Sequence, residues 1–434
     1  MESLMRTGRV FYGWYIVIGG MIVALLQGAF YVYGFSVFYV PLVQSLGSSR
    51  AALGGVIGLS RLEGGLIAPV AGWLIDQYGP RRLMFFGLGV MGLGFFVFSQ
   101  INALWQLYAI FLVMSLGASL GSSRPVTVAV ANWFIRRRGL ATGLLYAGFG
   151  LGGSFSFALA WCIDQFGWQT SAMIGGVLFI VIGYPVAFMM RHRPEDMGLL
   201  PDGDTIDESA NDGMIESGTV SESSTSVINE VEMTPRQAMS TLAFWMLALA
   251  YAAWASVVTV VTVYQIPFLQ EEVGVSLTTA AGVASFFPFL SIIGRVGFGI
   301  TADKVNVRYI LPVLFLGQAV GLSLLAILPS ISWAPLYLVV FSLSYGGSIP
   351  LRTVIVANFY GRKNFGTISG LLQFVDLPGT ALAPFFVGWV FDSVGSYRPG
   401  FFIIAAMTLL GAFALIFARA PKITSQHTTR GRAG

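Results

Sequence analysis

Cysteine, histidine and charge are all in short supply in this chain. Its 434 residues include one cysteine, Cys162, which excludes an intrachain disulfide and a dithiol redox pair. The two histidines, His192 and His427, fall in a polar stretch and near the end of the sequence, so no cluster with metal-ligand spacing can be read. Neither histidine falls in an apolar run, and no nucleophile–base set of the kind an enzyme needs is visible. Asp, Glu, Lys and Arg together make up 10% of the chain, against roughly 25% in soluble domains.

What fills the chain is apolar: 56% of residues are hydrophobic and the mean hydropathy is +0.76. Runs of about 20 apolar residues read as helices that cross a bilayer. Twelve such spans are expected, near 12–42, 51–75, 83–101, 105–134, 140–163, 169–190, 241–269, 277–301, 309–328, 333–360, 366–391 and 398–418. Several exceed the minimum length, which implies tilt or helix beyond the bilayer. The runs are too long, and alternate too little, for barrel strands. The opening MESLMRTGRVFYGWYIV has no short apolar core followed by a small-residue cleavage site, so the first span is expected to be retained.

The basic residues give an orientation. Of 24 Lys and Arg, four lie in the spans, two (Arg50 and Arg398) in odd-numbered loops, and the other 18 in the termini and even-numbered loops. The positive-inside rule then places both termini in the cytoplasm of a multi-pass protein, for a bacterium in the inner membrane. The pI near 9.2 therefore reflects topology rather than a nucleic-acid surface. Residues 191–239 are the one long polar segment and hold 11 of the 20 acidic residues. They read as an acidic cytoplasmic linker, disordered in its middle. It separates an N-terminal six-helix bundle (1–190) from a C-terminal six-helix bundle and cytoplasmic tail (240–434).

The halves match at an offset of about 227 residues. Gly72-Trp-Leu-Ile-Asp76 answers Gly299-Ile-Thr-Ala-Asp303, and Ala131-Asn132-Trp133-Phe134 answers Ala357-Asn358-Phe359-Tyr360. Gly139-Leu-Ala-Thr-Gly143 answers Gly366-Thr-Ile-Ser-Gly370. Parallel six-helix repeats with a site between them near the midplane are a transporter architecture. GWLIDQYGPRR resembles the loop 2–3 signature of the major facilitator superfamily, and GFGITADKVNVR is its second-half copy. The resemblance covers the whole chain except the linker. It implies an all-α membrane protein of twelve transmembrane helices in two pseudo-symmetric bundles. It also implies a cytoplasmic gate motif built on Gly72, Asp76, Arg81, Arg82, Asp303 and Lys304, for which the plain alternative is ordinary helix-end charge.

A narrower resemblance is to the monocarboxylate transporter and oxalate:formate antiporter group. FYGWYIV, RPVTVAVANWFIRRRGLATGLLYAGFGLGG and FGWQTSAMIGG are similar to its helix 1, helix 4–5 and helix 5–6 regions. The group's substrate-binding arginine falls on Arg295 in SIIGRVGFG. The chain departs from the group at three places. The first span has no lysine, Ser291 stands where animal members carry an aspartate, and Gln373 and Asp376 stand where the oxalate exchanger has a lysine.

Four arginines lie inside spans: Arg61, Arg124, Arg295 and Arg352. A guanidinium keeps its proton, so each needs a wet cavity, a carboxylate or an anionic ligand. Arg295 is the expected carboxylate anchor, its fork of donors matching a carboxylate; the plainer reading is an arginine snorkelling to the cytoplasm. Arg124 and Arg352 occupy near-equivalent places in spans 4 and 10, with Tyr345 two turns before Arg352 on the same face. They read as ligands that would favour a dicarboxylate, or as scaffold and inner gate. Arg61 and Glu63 in SRLEGG point to different faces, so one is expected to pair with Asp376 in span 11 as a latch. Glu63 and Asp376 are the candidate proton carriers, the alternative being a permanent ion pair. Gln27, Tyr31, Tyr33, Tyr146, Gln373 and Ser291 are expected along the path. Membrane tyrosines are also common as interface anchors.

The resulting expectation is a secondary transporter of small mono- or dicarboxylates, as proton symporter or anion exchanger, monomeric and without a cofactor. The rivals are export of drug-like molecules by proton antiport and a non-transporting carboxylate sensor of the same fold. Four buried arginines against two acids argue against cation export, and the short polar linker argues against an output domain.

Overall fold

The computed structural model describes residues 11–47, 50–203 and 232–421. The expected disorder of the linker's middle falls on 204–231, outside the described residues. The described chain is all helix. The first six rods are α1 (Tyr12–Leu26, continued by Gln27–Val32 and Gly34–Leu46), α2 (Arg50–Tyr78), α3 (Pro80–Phe98), α4 (Leu104–Gly121 and Ser123–Trp133), α5 (Arg138–Ser154 and 156–166) and α6 (168–181 and Gly183–Met189). The second six are α7 (Leu242–Glu271), α8 (Leu277–Ala302), α9 (Val307–Ala326), α10 (Ala334–Tyr360), α11 (Phe365–Val375 and Leu377–Val394) and α12 (Arg398–Phe417). Ten stretches among the described residues are long and apolar enough to cross a membrane. α2, which carries Arg61 and Glu63, and the glycine-rich first part of α5 are not among them.

Local chemistry sets the ends of the rods. Thr241, Ser276 and Asn306 cap α7, α8 and α9, each side chain accepting a backbone N–H of the first turn. Gly167, at φ 79°, separates α5 from α6; an L side chain there would be strained. Large apolar side chains such as Trp105, Phe385 and Leu410 point outward, as a lipid-facing surface requires.

The two bundles meet most closely at the end carrying Arg81, Arg82, Arg136–Arg138, Arg362 and Lys363, called the basic end below. There α2 lies against α11 and α5 against α8. A Cβ on Gly72 would run into the carbonyl of Gly366, and one on Gly139 into that of Gly299, so backbone touches backbone at both crossings. One apolar cluster spans the junction, joining Ile75, Val128 and Ala131 of the first bundle to Leu351, Ile355 and Ile368 of the second. Toward the opposite, far end the bundles part around a central cavity.

Candidate functional site

The central space has three compartments, of about 1020, 770 and 270 Å³, and Arg124 and Gln373 line all three. The helices that wall it are irregular where they do so. α4 breaks at Ser122, three residues before Pro125, which has no N–H to continue the ladder, and Arg124 lies at that break. α11 breaks at Asp376, two residues before Pro378, for the same reason. α1 widens into a π-helical turn from Gln27 to Val32, which carries Gln27 and Tyr31.

Arg352 and Asp376 form an ion pair, Nη2 to Oδ2, at 2.7 Å. The guanidinium is held between two rings of α7, its Cζ 3.9 Å from the centre of Tyr251 and 4.0 Å from that of Trp254. Tyr251 OH donates to the Arg352 carbonyl at 2.6 Å, and Trp254 Nε1 donates to Ser348 Oγ at 2.8 Å. Tyr345 stacks on Trp254 with ring centres 5.9 Å apart. Asp376 therefore has a partner within its own bundle, while the expected pairing with Arg61 of α2 falls on a side chain outside the described residues. The partner within the bundle is a cation 24 positions earlier on the adjacent α10.

Arg124 is placed differently. Its Nη2 donates to the Gly64 carbonyl at 3.0 Å, while Nη1 is buried without a hydrogen-bond partner. No ion pair of Arg124 exists among the described residues. Tyr146, on α5, shares the wall, its hydroxyl 3.2 Å from Thr127 Oγ1. Gln27 accepts from Ser122 Oγ, and Tyr31 stacks on Phe111 at 5.9 Å. Tyr33 and Gln373 also face the cavity.

The structure does not put Arg295 or Ser291 on the cavity wall. Arg295 is 2% exposed and lies in the α5–α8 contact, where Nη1 donates to the Tyr146 carbonyl at 2.6 Å and Nε has no partner. The cause is the glycine face of α5: Gly143 admits the Arg295 backbone and Gly150 admits Ile292, so α8 is drawn tight against it. Ser291 is fully buried and donates to the Pro288 carbonyl at 2.6 Å. Glu63 is off the wall too, with Oε2 buried and unpartnered. The side chain of Arg61 lies outside the described residues.

At the basic end, acids from each bundle cap a helix of the other. Asp76 accepts from Gly366 N (3.0 Å), Thr367 N (2.7 Å) and Thr367 Oγ1 (2.7 Å) at the start of α11. Asp303 accepts from Gly139 N (2.7 Å) and Leu140 N (3.0 Å) at the start of α5. Burial holds Asp303 above the ordinary carboxylate range, although those amides pull it back. Of the expected gate residues, Arg81 instead covers the Phe188 ring at 4.4 Å, and the side chains of Arg82 and Lys304 make no described hydrogen bond or ion pair.

Sequence reasoning missed Arg138, Tyr251 and Trp254. Arg138 is 2% exposed and donates across to Asn358 Oδ1 at 2.9 Å, as Arg362 does in return to the Asn132 carbonyl at 2.7 Å. The repeat pairing of Asn132 with Asn358 was the available signal. For the rings it was the i, i+3 spacing of Tyr251 and Trp254, which gives them one face.

Against known proteins, the chain matches the Major Facilitator Superfamily model over residues 16–376 and 265–433. The chain belongs to the major facilitator superfamily and is a multi-pass membrane transporter of small molecules rather than an enzyme. It is 26% identical over 428 residues to monocarboxylate transporter 12 of Mus musculus, covering 94% of this chain and 84% of the relative. It is 25% identical over 365 residues to the oxalate:formate antiporter of Oxalobacter formigenes (81% and 79%). It is 24% identical over 370 residues to YhjX, an uncharacterized transporter of the superfamily from Escherichia coli (strain K12) (82% and 83%). The solved structure of the proton:xylose symporter XylE superposes with a TM-score of 0.70 at 14% identity, covering 94% of this chain and 96% of the other. The human organic anion transporter MFSD10 gives 0.66 at 14% identity (93% and 98%). At that identity the likeness speaks to the fold alone.

Proposed function

We propose that the protein carries organic carboxylates across a bacterial inner membrane by alternating access, with Arg124 as the carboxylate anchor. The observation that carries this reading is the unpartnered Nη1 of Arg124 on a wall shared by all three compartments. A buried guanidinium N–H left unsatisfied is costly, and an incoming carboxylate would satisfy it with a charge-assisted bond. The names of the relatives, a monocarboxylate transporter and an oxalate:formate antiporter, support a carboxylate over a cation.

With the basic end cytoplasmic, the described conformation faces outward. Residues 1–190 and 240–434 rock as two bodies about the cavity, joined by a cytoplasmic linker at 191–239, and the working unit is the monomer. Arg295 then acts at the α5–α8 contact, which must loosen when the cytoplasmic side opens. Asp376 Oδ1 and Glu63 Oε2 are buried without partners, so these are the two carboxylates placed to accept a coupling proton. If neither does, carriage is anion exchange.

The test is binding and flux with purified protein. Thermal stabilisation by carboxylates, together with their uptake into proteoliposomes, is the expected result. Stabilisation without flux would favour a sensor, and neither would overturn the proposal.

A further inference from the structure

We propose that the cargo is a monocarboxylate with a flat, largely apolar body, rather than a formate-sized acid or a dicarboxylate. The inference deepens the carboxylate reading above and rests on it.

The charge count comes first. Among the described residues that line the three compartments, the charged side chains are Arg124, Arg352 and Asp376. Arg352 and Asp376 cancel one another at 2.7 Å, and the faces of Arg352 are covered by Tyr251 and Trp254. Arg295 is shut into the α5–α8 contact. Among these described residues one uncompensated positive charge remains, at Arg124. A single guanidinium satisfies one carboxylate. The second carboxylate of a dianion would have to give up its water for a wall with no further free cation among its described residues, a cost those residues do not offset.

Among polar residues such as Gln27, Gln265 and Gln373, the wall carries aromatic rings on both sides. From the second bundle come Trp254, Phe287 and Tyr345, with Phe287 and Tyr345 ring centres 4.8 Å apart. From the first come Tyr31 and Phe149, and Phe149 stacks on Tyr146 at 6.2 Å. A formate or acetate bound at Arg124 would leave these rings in water. An acid with a flat apolar body would cover them, and aromatic faces favour offset or edge contacts with such a body.

The experiment compares benzoate and phenylacetate with acetate, oxalate and succinate, at neutral pH. The readouts are thermal shift of the full-length protein and competition for uptake in proteoliposomes. Benzamide serves as the uncharged control. The aromatic acids are expected to act at concentrations about tenfold or more below the small acids, and benzamide to have no effect. Phe287→Ala and Trp254→Leu, each checked for a monodisperse, cooperatively melting protein, are expected to narrow that ratio. A preference for oxalate or succinate, or equal response to acetate and benzoate, overturns this inference and leaves the carboxylate reading standing. An unchanged ratio in both folded variants overturns it as well. No response to any carboxylate, or a response to benzamide equal to that of benzoate, overturns both.

Discussion

Asp376 Oδ2 lies 2.7 Å from Arg352 Nη2, and both residues belong to the second bundle. This pairing removes one cation from the count available to cargo and ties α10 to α11 beside the cavity. Among the described residues it also leaves Arg124, on the opposite bundle, as the unpaired charge on the wall of the space between them.

Removing the acid should change selectivity. Asp376→Asn releases Arg352 and raises the charge of the described lining from one to two. Dicarboxylates should then compete about tenfold better relative to monocarboxylates, which competition assays on the folded variant would read. The protein should also lose about 3 kcal/mol of stability, the low end for breaking a buried pair, because the Tyr251 and Trp254 rings still hold the guanidinium.

Arg295 and Arg124 are separable by experiment. Arg295→Ala removes the bond to the Tyr146 carbonyl and leaves the cavity wall untouched. Carboxylate affinity should stay within about threefold of wild type while the uptake rate changes, because in the proposed cycle the α5–α8 contact must loosen and re-form. Loss of affinity equal to that of an Arg124 variant would return the anchor to Arg295.

Closure at the basic end depends on backbone contact. Gly72→Val would drive a side chain into the Gly366 carbonyl, which cannot yield as a flexible side chain could. Uptake should be abolished in a protein that still folds, and labelling of residues at the basic end by water-soluble reagents should rise. Wild-type uptake would mean that the α2–α11 contact does not form in the working cycle.

The paired caps should add up in small increments. Asp303→Ala strands the Gly139 and Leu140 N–H groups, and Arg138→Gln removes the bond from the Arg138 guanidinium to Asn358. Each should cost the closed basic end about 1–2 kcal/mol, a shift of roughly 5- to 30-fold in the conformational ratio. Distances between spin labels on α5 and α8 would report it.

Much of this architecture could be read before any coordinates. Apolar run length placed the rods, and the repeat at Asn132 and Asn358 marked two positions that interlock across the bundles. The breaks that present Arg124 and Asp376 lie inside runs expected to be continuous, 105–134 and 366–391; Pro125 and Pro378 were the available signal. What the pattern could not reveal was which arginine faces water. Arg295 and Arg124 are both single charges in apolar helices. Their difference comes from the partner surface: Gly143 and Gly150 draw α8 onto α5, while the break at Ser122 frees Arg124. The partner of Asp376 was hidden for the same reason, since helix rotation is set by packing between elements far apart in sequence.

The most direct measurement is the affinity of Arg124→Gln for the best-binding carboxylate, by calorimetry on the purified, folded protein. Loss of the charge-assisted bond should weaken binding by about 10- to 100-fold, with the melting temperature of the unliganded protein unchanged or raised. Wild-type affinity in that variant would contradict the assignment of Arg124 as the anchor.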